Sequence, residues 1–482
     1  MNRVGQRSGV GPLLLLLAVT LPAAVFLGAG VVWDPAVVIP LTFELVIFLG
    51  ISWWIIHLER DPGLRRWLLR VVLLSLFLRL GAVFLVHGAL SQMFFAPDAA
   101  SYYAHGLAIH EHWMGGPEPD LPNTWQVGYG YLNALFFLLF GDPVMGMVVL
   151  NVFAGLWLVI LVFILARRCF DLPTARVAAV LTAVFPSLVL WSVINIRDIL
   201  TALVVVGVVL LGVRTYERVR GAELVLLVGG ALFLTTLRDY MGILVIAGLL
   251  LGYAAAVRRG SIVPTFAAGT VLILFLVFGL GELGIIEPEV LSSPLRSASR
   301  LRESLQGGGA AFGKGVDIST PGGALRYLPY GMAFFLLAPF PWAVASTLQL
   351  YALPEVLLWY ALIPFTVVGF IDAIRRDRKR TFLLLGVLVV IVTSYALVEG
   401  NFGTAYRHRA QAMPLFFLFT GRGVAKWWSA HLARRRGGKA SKVGRGRPRG
   451  EAKAGVPGGG GRSAGGKGGL RRSRGAGASA PR

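Results

Sequence analysis

Two aspartates and a scattered set of arginines carry the chemistry open to this chain. Asp98 stands near the start of its longest polar interval in the first half, Met93–Tyr131, which also holds Glu111, Glu118, Asp120, three histidines (His105, His110, His112) and the pair Tyr102 and Tyr103. Further on, acid and arginine stand side by side at Arg197-Asp198 and Arg238-Asp239. Arginine recurs at Arg326 and in the run Arg407-His408-Arg409. A carboxylate within reach of a hydroxyl serves as a general base, and guanidinium groups match phosphate oxygens in bidentate fashion. Brought together, they suit displacement of a phosphate by a hydroxyl, with Asp98 and Asp198 as catalytic candidates. Tyr102, Tyr103, Arg197, Arg238, Arg326, Arg407, His408 and Arg409 are the candidates for substrate contact.

Each of these residues also has a plainer use. Asp98 precedes AASYYAHGLAIHEHW and can cap that helix. Tyr102 and Tyr103 can anchor at a membrane interface. Asp198 and Asp239 each follow an arginine and can pair locally or cap, while Arg407 and Arg409 can be structural arginines near Glu399. The histidines with Glu111 could hold a divalent cation, but their spacing matches no recognised ligand signature. No cofactor is therefore expected, a divalent cation being the open alternative. Cys169 is the single cysteine, which excludes an internal disulfide framework.

Composition says where this chemistry takes place. Of 482 residues, 56% are hydrophobic and 15% charged, and the mean hydropathy is +0.71. Repeated apolar runs near twenty residues mark a polytopic membrane protein. The pattern predicts an all-α fold of about twelve transmembrane helices with interfacial helices on the outer face. Two spans are expected within residues 1–66, and a membrane catalytic domain over 67–428 with outer loops at 91–142 and 282–350. The segment 128–140 is too short to cross and reads as interfacial. Single spans are expected at 175–194 and 411–428, and interfacial structure over 328–350. Basic clusters at Arg65-Arg66, Arg167-Arg168, Arg258-Arg259 and 375–380 belong inside, which puts the Asp98 loop outside and both termini in the cytoplasm. Arg79, in mid-span, needs an acidic or carbonyl partner.

The formal charge of +22 is concentrated at the C-terminal end: from His431 onward fifteen Lys and Arg face one acid, Glu451. Segment 429–482 is Gly- and Arg-rich, so disorder is expected there, with anionic lipid rather than a specific nucleic acid as its partner.

The residues resemble a known family. Pro97-Asp98 after a span, Tyr102 four positions on, the G-Y-x-Y-L segment at 128–132, the span ending ARRCF and the R-D-x-L at 197–200 are similar to the GT-C superfamily of membrane glycosyltransferases. The family 39-like branch, with protein O-mannosyltransferases, the lipid A aminoarabinose transferase and rhizobial lipopolysaccharide sugar transferases, is the nearest in pattern. The resemblance spans roughly 67–260, with a looser echo to 428. It implies transfer of a sugar from a polyprenyl-phosphate donor to a glycan, lipid or protein acceptor at the outer face. Asp98 would be the base and Asp198 the acid of the second outer loop. The family's Asp-Glu is here Asp98-Ala99, and its Lys-Pro-Pro is replaced by Gln126-Val127-Gly128. A polytopic transporter or glycan flippase is the alternative. Transporters bind near the bilayer midplane, often between repeated halves, whereas these polar residues gather at one boundary.

Overall fold

The computed structural model describes residues 59–121, 127–141, 144–256, 293–306 and 311–444, together with Val46 and Gly50. The chain forms one compact unit over Met1–Ser429 and another over Ala430–Arg482. The described residues are overwhelmingly helical, and the β-type pairing among them is an isolated bridge between Ala311 and Asn401.

Five described helices are long and apolar enough to cross a bilayer: Pro62–Ala89, Val144–Cys169, Asp198–Glu217, Thr347–Arg376 and Arg378–Val398. Shorter apolar helices cover Gly128–Phe140, Leu172–Val184, Gly221–Leu237 and Met241–Ala256. Among the described residues this is an all-α, multi-pass membrane fold. The expected spans within 1–57 and at 261–281 lie outside the described residues, so five stand where about twelve were anticipated over the whole chain. Val144–Cys169 is the most enclosed, with 78% of its apolar window buried, which makes it the central post.

Helix starts follow local chemistry. Asp61 accepts from Gly63 N at 2.8 Å and Asp171 from Thr174 N at 3.0 Å, and proline occupies the first turn of both helices. A short oxygen-bearing side chain satisfies an orphan N–H, and proline has none to lose. The helix at Gly128–Phe140 has the bounds expected for the interfacial segment. It packs on Ala99–Trp113, and the crossing is close: a Cβ on Gly106 would stand 2.3 Å from the Asn133 Cβ.

Two expectations are corrected. The single span at 175–194 is broken, because Pro186 leaves Phe185 extended at ψ 124°. The helix stops at Val184, a short turn covers Pro186–Leu190, and no regular helix resumes until Asp198. The region 328–350 comprises the end of a helix Pro321–Leu337, an irregular stretch holding Pro339 and Pro341, and the start of Thr347–Arg376 at its Ser346 cap. Finally, the last described helix, Phe402–Gly444, runs on into the basic segment expected to be disordered; residues 445–482 lie outside the described set.

The break at Pro186 explains Arg79. This guanidinium is fully buried and donates to the carbonyls of Ser75 (3.3 Å), Ala183 (3.2 Å) and Leu188 (3.4 Å). Ala183 and Leu188 flank the proline break, where carbonyls lose helical partners. The partner is therefore backbone rather than acid. Gly155 makes room for it, since a Cβ there would approach Arg79 Nε to 2.5 Å.

Charged pairs gather at the far end of the Asp198 helix. Glu217 pairs with Arg168 and with Arg380 (2.8 Å), Asp372 with Arg422 (2.7 Å), Arg376 (3.0 Å) and Lys426 (2.8 Å), and Arg422 also with Asp171. Asp198 opens the same helix whose last residue is Glu217. Its 20 residues at about 1.5 Å each separate the two ends by about 30 Å, the thickness of a hydrocarbon core.

Candidate active site

The site is built on a non-helical segment buried in the protein. Residues 191–197 follow the proline break, and every one of them is buried. Buried backbone must find hydrogen-bond partners, and here polar side chains from neighbouring helices supply them. Asn151 Nδ2, from the central post, reaches the carbonyls of Ile194 (2.8 Å) and Ile196 (2.9 Å) and the Tyr129 hydroxyl (2.9 Å). His87 Nε2 lies 2.7 Å from the Val193 carbonyl, Gln92 accepts from Asn195 N at 3.2 Å, and Asn195 donates to Asn133 Oδ1 at 2.9 Å. This scaffold delivers Asp198 to the first turn of its helix, where the helix dipole favours a negative charge.

Asp198 is 1% exposed and fully engaged. Arg238, just past the Gly221–Leu237 helix, donates from Nη2 to Oδ1 at 3.0 Å, and Arg407 donates from Nε to Oδ2 at 2.6 Å. Gln411, one turn beyond Arg407, donates to Oδ1 and in turn accepts from the Tyr395 hydroxyl at 2.7 Å. Asp98 joins from the other side: Arg407 Nη1 donates to its Oδ1 at 2.8 Å and its Oδ2 at 2.7 Å. Asp98 occupies the cap position of the Ala99–Trp113 helix, yet its carboxylate makes no capping hydrogen bond. Its acceptors therefore face the arginine, and the side chain is 40% exposed.

The other candidates divide. Arg197 belongs to the cluster: its guanidinium carbon lies 5.3 Å from the Tyr102 ring centroid, and its buried Nε has no hydrogen-bond partner. Tyr102 is buried edge-on to Tyr129 at 5.3 Å. Tyr103 is turned to Phe137 (5.3 Å). His408 pairs through Nδ1 with buried Glu399, whose other oxygen accepts from Thr404 at 2.6 Å, and its ring stacks on Tyr395. Burial, reinforced by the charge of Arg197, holds the His105 imidazole below its ordinary pKa.

Two arginines stand apart. Arg409 points the opposite way on its helix and donates to the carbonyls of Leu336 (3.1 Å) and Ala338 (2.7 Å), satisfying the end of the Pro321–Leu337 helix. Arg326 is exposed on that helix and makes none of the cluster's ion pairs. The loop histidines do not converge either: His110 stacks on Phe137 at 5.6 Å and His112 faces the Gly116 carbonyl. Among the described residues no group of three or more His, Cys, Asp or Glu is placed to hold a metal ion.

Sequence reading missed Asn151, Gln411 and Tyr395 as supports, and it set Glu399 beside Arg407 and Arg409 where its partner is His408. Asn151 and Gln411 are amides within apolar helices, a signal that was there to be read, since a buried polar group must be satisfied. An apolar cavity of about 450 Å³ is lined by Trp113, Val127, Tyr131, Leu135, Phe233 and Thr236. Thr236 lies in the last turn of the Gly221–Leu237 helix, which Arg238 directly follows.

A family model described as dolichyl-phosphate-mannose-protein mannosyltransferase matches residues 126–280. The match takes in Asn151, Arg197, Asp198 and Arg238. A search of curated proteins found no match. Among solved structures, the Archaeoglobus fulgidus oligosaccharyltransferase in its apo form is 15% identical, with a TM-score of 0.47 over 80% of this chain and 52% of that one. The same organism's oligosaccharyltransferase AglB, in complex with an inhibitory peptide and a dolichol-phosphate, is 16% identical, with a TM-score of 0.46 over 78% and 52%. This chain thus spans about half the length of those structures. The family match thus takes in residues 126–280 of the 482, and over that segment the chain is similar to the dolichyl-phosphate-mannose-protein mannosyltransferases.

Proposed function

We propose that this chain transfers a sugar from a polyprenyl-phosphate donor to an acceptor hydroxyl, with inversion at the anomeric carbon and Asp98 as general base. The acceptor is a glycan, a lipid or a protein. The observation that carries this reading is the cluster itself: three guanidinium groups, Arg197, Arg238 and Arg407, gathered around two carboxylates, one buried and one partly exposed.

The charges suit the reaction. Two of the three cations are balanced by Asp98 and Asp198, which leaves one positive charge for the single negative charge of a phosphodiester donor. Asp98 takes the acceptor proton as the acceptor oxygen bonds to the anomeric carbon. The bond from that carbon to the phosphate oxygen breaks, and its electron pair stays on the phosphate. Arg197 and Arg238 stabilise the charge developing there. The apolar cavity at Thr236, in the helix turn that precedes Arg238, suits the donor's isoprenoid chain, and Tyr102, held against Arg197, borders the sugar. No cofactor is assigned in this scheme.

The active site is assigned to the outer face, with both termini in the cytoplasm. The support is the arginine-rich belt at the opposite helix ends, with Arg167, Arg168, Arg214, Arg376, Arg380 and Arg422. Basic residues concentrate on the cytoplasmic side. The test is purified full-length protein in detergent, supplied with host lipid extract and an envelope acceptor fraction, with polyprenyl phosphate read by mass spectrometry. A transferase releases it from the lipid-linked sugar. A flippase moves its cargo between leaflets, which micelles lack, so absence of release would overturn the proposal.

A further inference from the structure

Arg407 is held unequally by its two acids. Its Nε is fixed to Asp198, whose side chain is 1% exposed and is also held by Arg238 and Gln411. Its Nη1 is committed to Asp98, whose side chain is 40% exposed and which has no cap bond to its own helix. Asp198 is the permanent counter-ion, and Asp98 is the partner that can be exchanged.

We propose that Arg407 is shared between the base and the leaving group: its Nη1 passes from Asp98 to the departing phosphate in the same step in which Asp98 takes the acceptor proton. The inference rests on the transferase reading above and adds to it a route for charge. When the acceptor O–H proton moves to Asp98, the carboxylate becomes a neutral carboxyl and its hold on a guanidinium falls. At that moment the sugar–oxygen bond breaks and the phosphate gains a second negative charge. The guanidinium therefore loses one anionic partner as another appears within its reach. Charge stays balanced on both sides of the step. Before it, one excess cation faces a phosphodiester monoanion; after it, with Asp98 neutral, two excess cations face a phosphate monoester dianion. Arg407 need only swing Nη1 while Nε stays on Asp198, so the exchange requires no opening of the buried cluster. In the resting protein the same bond holds the base in place without a substrate.

The test is binding of a short polyprenyl phosphate, farnesyl phosphate, to the purified full chain in detergent. Asp98→Asn mimics the protonated base and releases Nη1, so the phosphate binds about tenfold more tightly than to wild type, the worth of one charge-assisted bond. Asp98→Ala gives the same direction. In an Arg407→Lys background the fork that spans both partners is lost, and Asp98→Asn then changes affinity by no more than about twofold. Equal or weaker binding by Asp98→Asn would make the Asp98–Arg407 pair a fixed strut and overturn the inference while leaving the transferase reading intact. Absence of farnesyl phosphate binding by wild type, together with absence of transfer, would overturn both.

Discussion

A single nitrogen of Arg407 donates to both carboxylate oxygens of Asp98, at 2.8 and 2.7 Å, across most of the length of the described chain. The same guanidinium holds Asp198 through Nε at 2.6 Å. The two acids on one arginine differ in burial and in the further bonds that Asp198 takes from Arg238 and Gln411, and their substitutions have different consequences.

Asp198→Asn removes the charge that compensates two buried guanidiniums, Arg238 and Arg407. Breaking a buried pair by losing one partner costs about 3–5 kcal/mol. Thermal unfolding in detergent should therefore show a large drop for Asp198→Asn and little change for Asp98→Asn, whose side chain is partly exposed. Equal melting of the two variants would mean that Asp198 is not the structural anchor of the cluster.

Asn151→Leu tests the scaffold beneath Asp198. It keeps approximate volume but strands the Ile194 and Ile196 carbonyls, each buried. An orphaned buried acceptor costs about 1–3 kcal/mol. Amide hydrogen exchange over residues 191–201 should accelerate while the Arg378–Val398 helix keeps its protection. Unchanged exchange in 191–201 would mean that other contacts hold this segment.

Much of this site was legible because its members are ionisable groups at the edges of apolar runs, where a charge must be paired or used. Asp98, Asp198, Arg238 and Arg407 stand out on that ground and do meet. Arg409 shows the limit of the rule, since the same argument selected it and its guanidinium serves the backbone carbonyls that end the Pro321–Leu337 helix. The helix over Gly128–Phe140 was readable from its length alone. The segment after Pro186 was not: hydropathy runs straight through FPSLVLWSVIN and reports burial, whereas the proline, Asn151 and Asn195 determine that the buried chain is not helical. Composition likewise describes the basic tail without saying where its helix stops, and Phe402–Gly444 continues past the point where apolar residues give out.

Arg197 and Arg326 separate substrate contact from surface charge. Arg197 lies in the cluster over Tyr102, while Arg326 is exposed and outside it. Arg197→Ala should lower the rate of polyprenyl phosphate release by about 10²-fold, as loss of one preorganised donor does. Arg326→Ala should stay within about twofold of wild type, in the range of surface substitutions. The reverse ranking would place the phosphate near the Pro321–Leu337 helix instead.

The most direct measurement is the rate at which purified Asp98→Asn protein releases polyprenyl phosphate from lipid-linked sugar in detergent, beside wild type of matched melting temperature. Loss of a positioned general base lowers the rate by about 10²–10⁴-fold, and that is the expected result. Release at the wild-type rate would show that the sugar moves without this carboxylate, and the site would have to be sought elsewhere in the chain.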